Sequence, residues 1–233
     1  PAPDARNIYP ALKAIDEHTH VLKFDAEFAR AGWRFEESFR GEWTDSQTRR
    51  VNGRQYILGN PNSLVTDTTA EGWQSFQGAN TVRVERDFRD WLQVSAGWLY
   101  SHLSADADFG LETLNPTGGP MFPVQRTSWY SQRIVLERES QVANANTLIG
   151  PWGGLSLTLG VQAEWTQQSG TADGFYDIIP LSRHDAVNFI ADIDKAAVAE
   201  HVSLRYTQLP FTTLYAEARL EQENIGHREA DLG

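Results

Sequence analysis

From Leu155 to Trp165 the chain reads L-S-L-T-L-G-V-Q-A-E-W, with apolar residues at 155, 157, 159, 161, 163 and 165. Small or polar residues fill every position between them. A period of two sustained this long specifies a β-strand with one apolar and one wet face. It is also the length a tilted strand needs to cross a bilayer. The sequence therefore constrains architecture, and a membrane setting, more than it constrains chemistry.

Weaker versions of the pattern recur. Leu22, Phe24, Ala26 and Phe28 alternate with Lys23, Asp25 and Glu27. After a bend at Ala31-Gly32, Trp33, Phe35, Phe39 and Trp43 share one face, and Arg34, Glu36, Ser38, Arg40 and Glu42 share the other. Glu37 interrupts the apolar face, yet the pair reads as a β-hairpin. Val82, Val84, Arg86 and Phe88 lead to a bend at Arg89-Asp90 and return as Leu92, Val94, Ala96, Trp98 and Tyr100. A fifth strand covers about 129–139, the strongest follows Gly153-Gly154, and the last carries Leu214, Ala216, Ala218 and Leu220 against Glu217, Arg219, Glu221 and Glu223. Between them, residues 185–201 read as strand, with a helix as the alternative because D-K-A-A-V-A-E has helical propensity.

The expected fold class is therefore all-β: an antiparallel meander of about eight strands forming all or part of a transmembrane outer-membrane β-barrel. Residues 1–19 read as an irregular lead-in with a short helical turn near 11–17. Residues 20–224 form the barrel segment, with long loops at 44–79, 103–126 and 166–186, and 225–233 form a tail or the start of a further loop. Connections alternate short and long, as in outer-membrane barrels with short periplasmic turns and long outer loops. With the 31–32 bend periplasmic, both chain ends lie outside, the expectation for a segment of a larger barrel.

Bulk properties narrow the function. Acidic residues outnumber basic ones 31 to 20, for a net charge of -11, and no basic stripe offers a nucleic-acid surface. Cysteine is absent, which removes disulfides, thiolate metal sites and a cysteine nucleophile. Glu36-Glu37 point to opposite faces and make poor partners at one scissile bond. Residues 150–154, G-P-W-G-G, lack the lysine and hydroxyl residue of a phosphate loop, and no serine has the flanking glycines of a nucleophile elbow. His18-Thr19-His20 places two imidazoles on one strand face without further ligands. No catalytic residue, metal site or cofactor is expected.

The candidate functional surface is a wet interior. Lys23, Asp25, Glu27, Arg34, Glu36, Arg40, Glu217, Arg219, Glu221 and Glu223 are the lumen-facing candidates, where mixed charges would set ion preference and brace neighbouring strands. Trp33, Trp43, Trp98, Tyr100 and Trp165 are the membrane-girdle candidates, because each carries an apolar ring and a polar atom suited to the interface.

The segments R-Y-T-Q-L-P-F-T-T-L-Y-A-E-A-R-L-E-Q-E at 205–223 and V-S-A-G-W-L-Y at 94–100 resemble large bacterial porin-like proteins and, more closely, the MtrB/PioB-type barrels. The resemblance implies a barrel that sheaths a multihaem cytochrome in an electron conduit. The chain has no C-x-x-C-H motif, so any haem would belong to the partner. The expected role is a passive pore or structural sheath in the bacterial outer membrane, with lipid, the remainder of a larger barrel and a periplasmic or multihaem protein as partners. Two alternatives remain: a soluble extracellular β-sandwich or jelly roll binding carbohydrate, and a structural assembly protein.

Overall fold

The structure, a computed structural model, describes residues 11–55, 64–115, 125–179 and 183–231. These form eight strands: β1 (Ala11–Arg30), β2 (Trp33–Gln55), β3 (Leu64–Arg89), β4 (Leu92–Asn115), β5 (Gln125–Trp152), β6 (Leu155–Ile179), β7 (Arg183–Leu209) and β8 (Thr212–Asp231). Each pairs antiparallel with its sequence neighbours in a single sheet of order β1 to β8. No pairing joins β1 to β8 among the described residues, so the sheet is open. The expected all-β antiparallel meander is thus what the chain forms.

Two-residue turns join β1 to β2, β3 to β4, β5 to β6 and β7 to β8, and all four lie at one end of the sheet. Gly32, Gly153 and Gly154 take up positive φ there, the conformation such turns demand and glycine adopts at little cost. Adjacent turns are tied together: the Gly150 amide donates to the Trp91 carbonyl at 2.8 Å and the Thr207 amide to that of Gly154 at 2.9 Å. Gly150 has φ +110°, and a Cβ built on it would lie 2.5 Å from the Leu155 carbonyl oxygen. Gly150→Ala is therefore expected to lower stability by about 1–3 kcal/mol, read as a lower urea midpoint.

The strands are longer than the alternation indicates, and the loop boundaries need correction. β2 and β3 occupy most of 44–79, β4 and β5 most of 103–126, and β6 and β7 most of 166–186. The Gly59-Asn60-Pro61 turn lies outside the described residues. β1 begins at Ala11, so residues 11–19 are strand where the lead-in and its helical turn were expected, and β8 runs on to Asp231 through the expected tail. Residues 185–201 are strand. Their pairing with β6 on one side and β8 on the other outweighs the alanine-rich helical propensity.

The sheet does not make a conventional core. A compact 26.2 kDa monomer exposes about 10,600 Å², whereas this chain exposes 16458 Å². No second sheet covers either face among the described residues, which removes the packed double layer a β-sandwich requires. No helix of the described residues is long and apolar enough to cross a membrane.

Candidate functional faces of the sheet

Register decides which side chains share a face. Leu155, Leu157 and Leu159 lie opposite Tyr206, Leu204 and Val202, which lie opposite Leu214, Ala216 and Ala218. Through β5 and β4 the same face continues as Ile149, Thr147 and Ala145 beside Leu92, Val94 and Ala96. Val84, Phe35 and Phe28 then extend it to β1. The result is an apolar band across all eight strands, nearest the two-residue turns. On β6 it runs from Leu155 to Trp165, about 33 Å along the strand and about 23 Å in height at a 45° tilt.

Aromatic rings mark both margins of this band. At the turn end Trp33 lies 6.2 Å from Phe35 and 6.0 Å from Phe88, and Trp91 lies 5.4 Å from Trp152. Toward the other margin Trp98 lies 6.2 Å from Tyr100, Tyr100 and Trp165 occupy the same cross-strand row, and Trp43 lies 5.1 Å from Phe76. All five girdle candidates therefore stand on the apolar face. Trp91, Trp152, Phe76 and Phe88 belong with them and were missed. Trp91 and Trp152 sit at turns where alternation carries no information, so cross-strand pairing alone reveals them.

Three charges interrupt the band. Glu37 accepts a hydrogen bond from Asn80 Nδ2 at 3.2 Å. The Arg86 guanidinium covers the rings of Phe88 at 4.6 Å and Trp33 at 4.9 Å, which lets a cation sit among apolar groups. Glu200 pairs with Val161 and Leu220 and is exposed. Beyond the aromatic margin the face becomes acidic, carrying Asp16, Asp45, Asp106, Asp108, Glu137, Glu139, Asp192 and Asp194. Much of the net negative charge is thereby placed on one band, which fixes where the apolar belt stops. His18 and His20 also lie here; His18 approaches Asp16 at 3.3 Å, and the described residues contain no group of three or more metal-ligating side chains.

The opposite face is polar, and all ten lumen-facing candidates stand on it. Near the turns they join a network. Arg34 Nε lies 3.7 Å from Glu27 and its Nη1 3.7 Å from Glu85. Arg83 reaches Glu85 at 2.9 Å and Glu36 at 3.7 Å, and Gln93 donates to Glu85 at 2.9 Å. Ser38 donates to Asp25 at 2.6 Å, and Arg40 to Glu42 at 2.6 Å. Toward β8, Lys195 bridges Glu164 at 3.5 Å and Glu223 at 3.1 Å, while Arg219 donates to Glu221 at 3.0 Å. Arg83, Glu85, Glu164 and Lys195 were not singled out from sequence; they become visible once β2–β3 and β6–β8 register is known.

Curvature distinguishes the two faces. Among the described residues, the buried side chains other than glycine are Val65, Ala105, Ser140, Thr166 and Ala197, and all five point to the polar face. Side chains shield one another where a sheet is concave. The sheet accordingly curls toward its polar side and leaves the apolar side convex. Farther from the turns, Tyr130 stacks on Phe175 at 5.4 Å, and burial, followed by the Asp177 carboxylate, pushes its phenol pKa up.

No family model matches the sequence, and no curated protein matches it. Among solved structures, the chain is similar to the RagAB peptide importer in its closed-closed state, at 7% identity and TM-score 0.34, covering 94% of this chain and 37% of that one. It is similar to BauA, the ferric preacinetobactin receptor from Acinetobacter baumannii, at 11% identity and TM-score 0.33, covering 92% and 44%. The ferric-catecholate import receptor Fiu from E. coli K12 gives 8% identity and TM-score 0.33, covering 96% and 45%. The chain spans less than half the length of each of these three structures.

Proposed function

We propose that this chain is a wall segment of a bacterial outer-membrane β-barrel, with its convex apolar belt in lipid and its concave polar face lining a passage for polar solutes. The observation that carries the reading is the direction of curl. A water-soluble β protein buries its apolar face, because that burial drives folding. Here the polar face is the sheltered one and the apolar face bulges outward. A bilayer is the solvent that suits this arrangement, and aromatic rows at both margins suit its interfaces. The belt height matches the apolar band of outer-membrane barrels, about 25 Å. The acidic band then lies on the outer-leaflet side, with the two-residue turns in the periplasm.

Closure follows from the same physics. The free edges of β1 and β8 would leave backbone donors and acceptors unpaired in hydrocarbon, at several kcal/mol each. Further strands or a second edge must therefore complete the wall in the membrane. The test uses the natural polypeptide in a membrane extract. Detergent-dependent solubility and a gel mobility shift on heating are the expected results. A soluble species near 26.2 kDa without a heat shift would rule the reading out and reopen the carbohydrate-binding and assembly alternatives.

A second reading makes the wall a sheath for a periplasmic partner, such as the multihaem cytochrome implied by the MtrB/PioB resemblance. It is favoured by the small side chains of Ser95 and Ala199 on the polar face, which project little from the backbone, whereas the space over Gly97 is filled by Asn144 and that over Gly160 by His201 and Asn146. A cysteine placed at Ser95 is expected to cross-link to such a partner in intact cells. Reaction with small water-soluble thiol probes and no protein cross-link would leave only the pore reading, and labelling by lipid-side probes would overturn both.

A further inference from the structure

Above the apolar belt the polarity of the sheet changes sides. While one face becomes acidic there, the concave face carries a cross-strand row of Trp73, Ala107, Ile134, Ala172 and Phe189, one residue from each of β3 to β7. No polar side chain interrupts it. Trp73 and Phe189 are 42% and 52% exposed, so the row is open to whatever enters the mouth.

Its shape is specific. Large side chains stand on alternate strands with alanine between, and neighbouring strands are about 4.8 Å apart. Trp73 and Ile134 are therefore separated by about 9.6 Å over Ala107. That gap accepts one flat ring in van der Waals contact on both sides. Ala105, buried in the next row down, gives the slot its floor. Farther along β5, four residues or about 13 Å from Ile134, Arg138 lies on the same face, exposed and without an ion pair among the described residues. A cation beneath an apolar slot complements an anion attached to a ring.

We infer that this row is a binding site at the mouth of the passage for aromatic carboxylates, the ring seated over Ala107 and the carboxylate directed to Arg138. The assignment rests on the reading of the polar face as the wall of a passage. The probe is naphthalene-2-carboxylate, measured by equilibrium dialysis against the full natural polypeptide in lipid nanodiscs, with 2-naphthalenemethanol as the neutral comparator. Saturable binding of the carboxylate is expected. Ala107→Phe should abolish it by filling the slot, and Arg138→Gln should weaken it about tenfold while leaving the neutral comparator unchanged. Arg138 is exposed, so that variant keeps the test valid if Ala107→Phe disturbs folding. Unsaturable uptake equal across all variants would reduce the effect to lipid partitioning and overturn the site. No uptake by a heat-modifiable, folded barrel would mean that polypeptide already covers the row, and would also overturn it. Loss of heat-modifiability in the unaltered protein would overturn the passage reading and this proposal together.

Discussion

Leu159→Arg is expected to destabilise the folded protein in a lipid bilayer by about 2–4 kcal/mol, the depth-dependent cost of a cation at the membrane midplane. Leu159 lies on the apolar face between Thr147 and Val202 and is 38% exposed. In water, arginine at such a surface position would change stability by no more than about 0.5 kcal/mol. The large value arises only if lipid, rather than water, surrounds the convex face. Two controls locate the effect. Gln167→Arg places the same cation on the same face beyond the aromatic margin and should cost about 0–1 kcal/mol. Glu200→Leu removes a carboxylate from the belt and should raise stability. Urea unfolding in lipid vesicles measures all three. Equal costs at 159 and 167 would mean that no membrane boundary lies between them.

That depth profile also separates a membrane wall from a sheet whose apolar face docks on another protein. A protein interface would penalise arginine wherever side chains interlock, without regard to distance from Trp33 and Trp165. A bilayer imposes a penalty that rises from one aromatic margin and falls toward the other. The charges already in the belt are informative for the same reason. Glu37 has the Asn80 amide and Arg86 has two aromatic rings, whereas Glu200 pairs across strands only with Val161 and Leu220. The stabilising substitution should accordingly be larger at Glu200 than at Glu37.

The part of the fold legible in sequence was the part with one apolar and one polar face. Leu155 to Trp165 is the clearest case, and the turn at Ala31-Gly32 and the girdle residues on Trp33, Trp98 and Trp165 followed from the same periodicity. Alternation continues past the belt but with its faces exchanged. In L-S-A-D-A-D-F at 103–109, Leu103, Ala105 and Ala107 stand on the concave side while Ser104, Asp106 and Asp108 stand outside. Small residues and aspartates resemble loop composition, so the stretch reads as a loop unless its period is counted. The same exchange hid Trp73 and Phe189, each placed within an expected loop or an ambiguous helix. Ion pairs such as Lys195 with Glu164 and Glu223 join residues far apart in the chain. Only register brings them together, and a single sequence does not state its register.

Within the polar wall, Glu85→Ala should cost about 2 kcal/mol, the largest loss expected from any single charge there. Glu85 has the most sheltered carboxylate of the network, with its side chain 13% exposed. It holds Arg83 at 2.9 Å and Arg34 at 3.7 Å while accepting from Gln93 at 2.9 Å. Removing it leaves two guanidiniums and an amide without that shared acceptor, across β2, β3 and β4. Arg40→Ala breaks only the exposed pair with Glu42, whose side chains are 57% and 30% exposed, and should cost about 0.5 kcal/mol. Salt discriminates further. A sheltered carboxylate is screened less than an exposed pair, so the Glu85→Ala loss should persist at high ionic strength while the Arg40→Ala loss disappears. Equal losses that vanish together in salt would show that Glu85 is a solvated surface charge, and that strands β2 to β4 are held in register by backbone pairing alone.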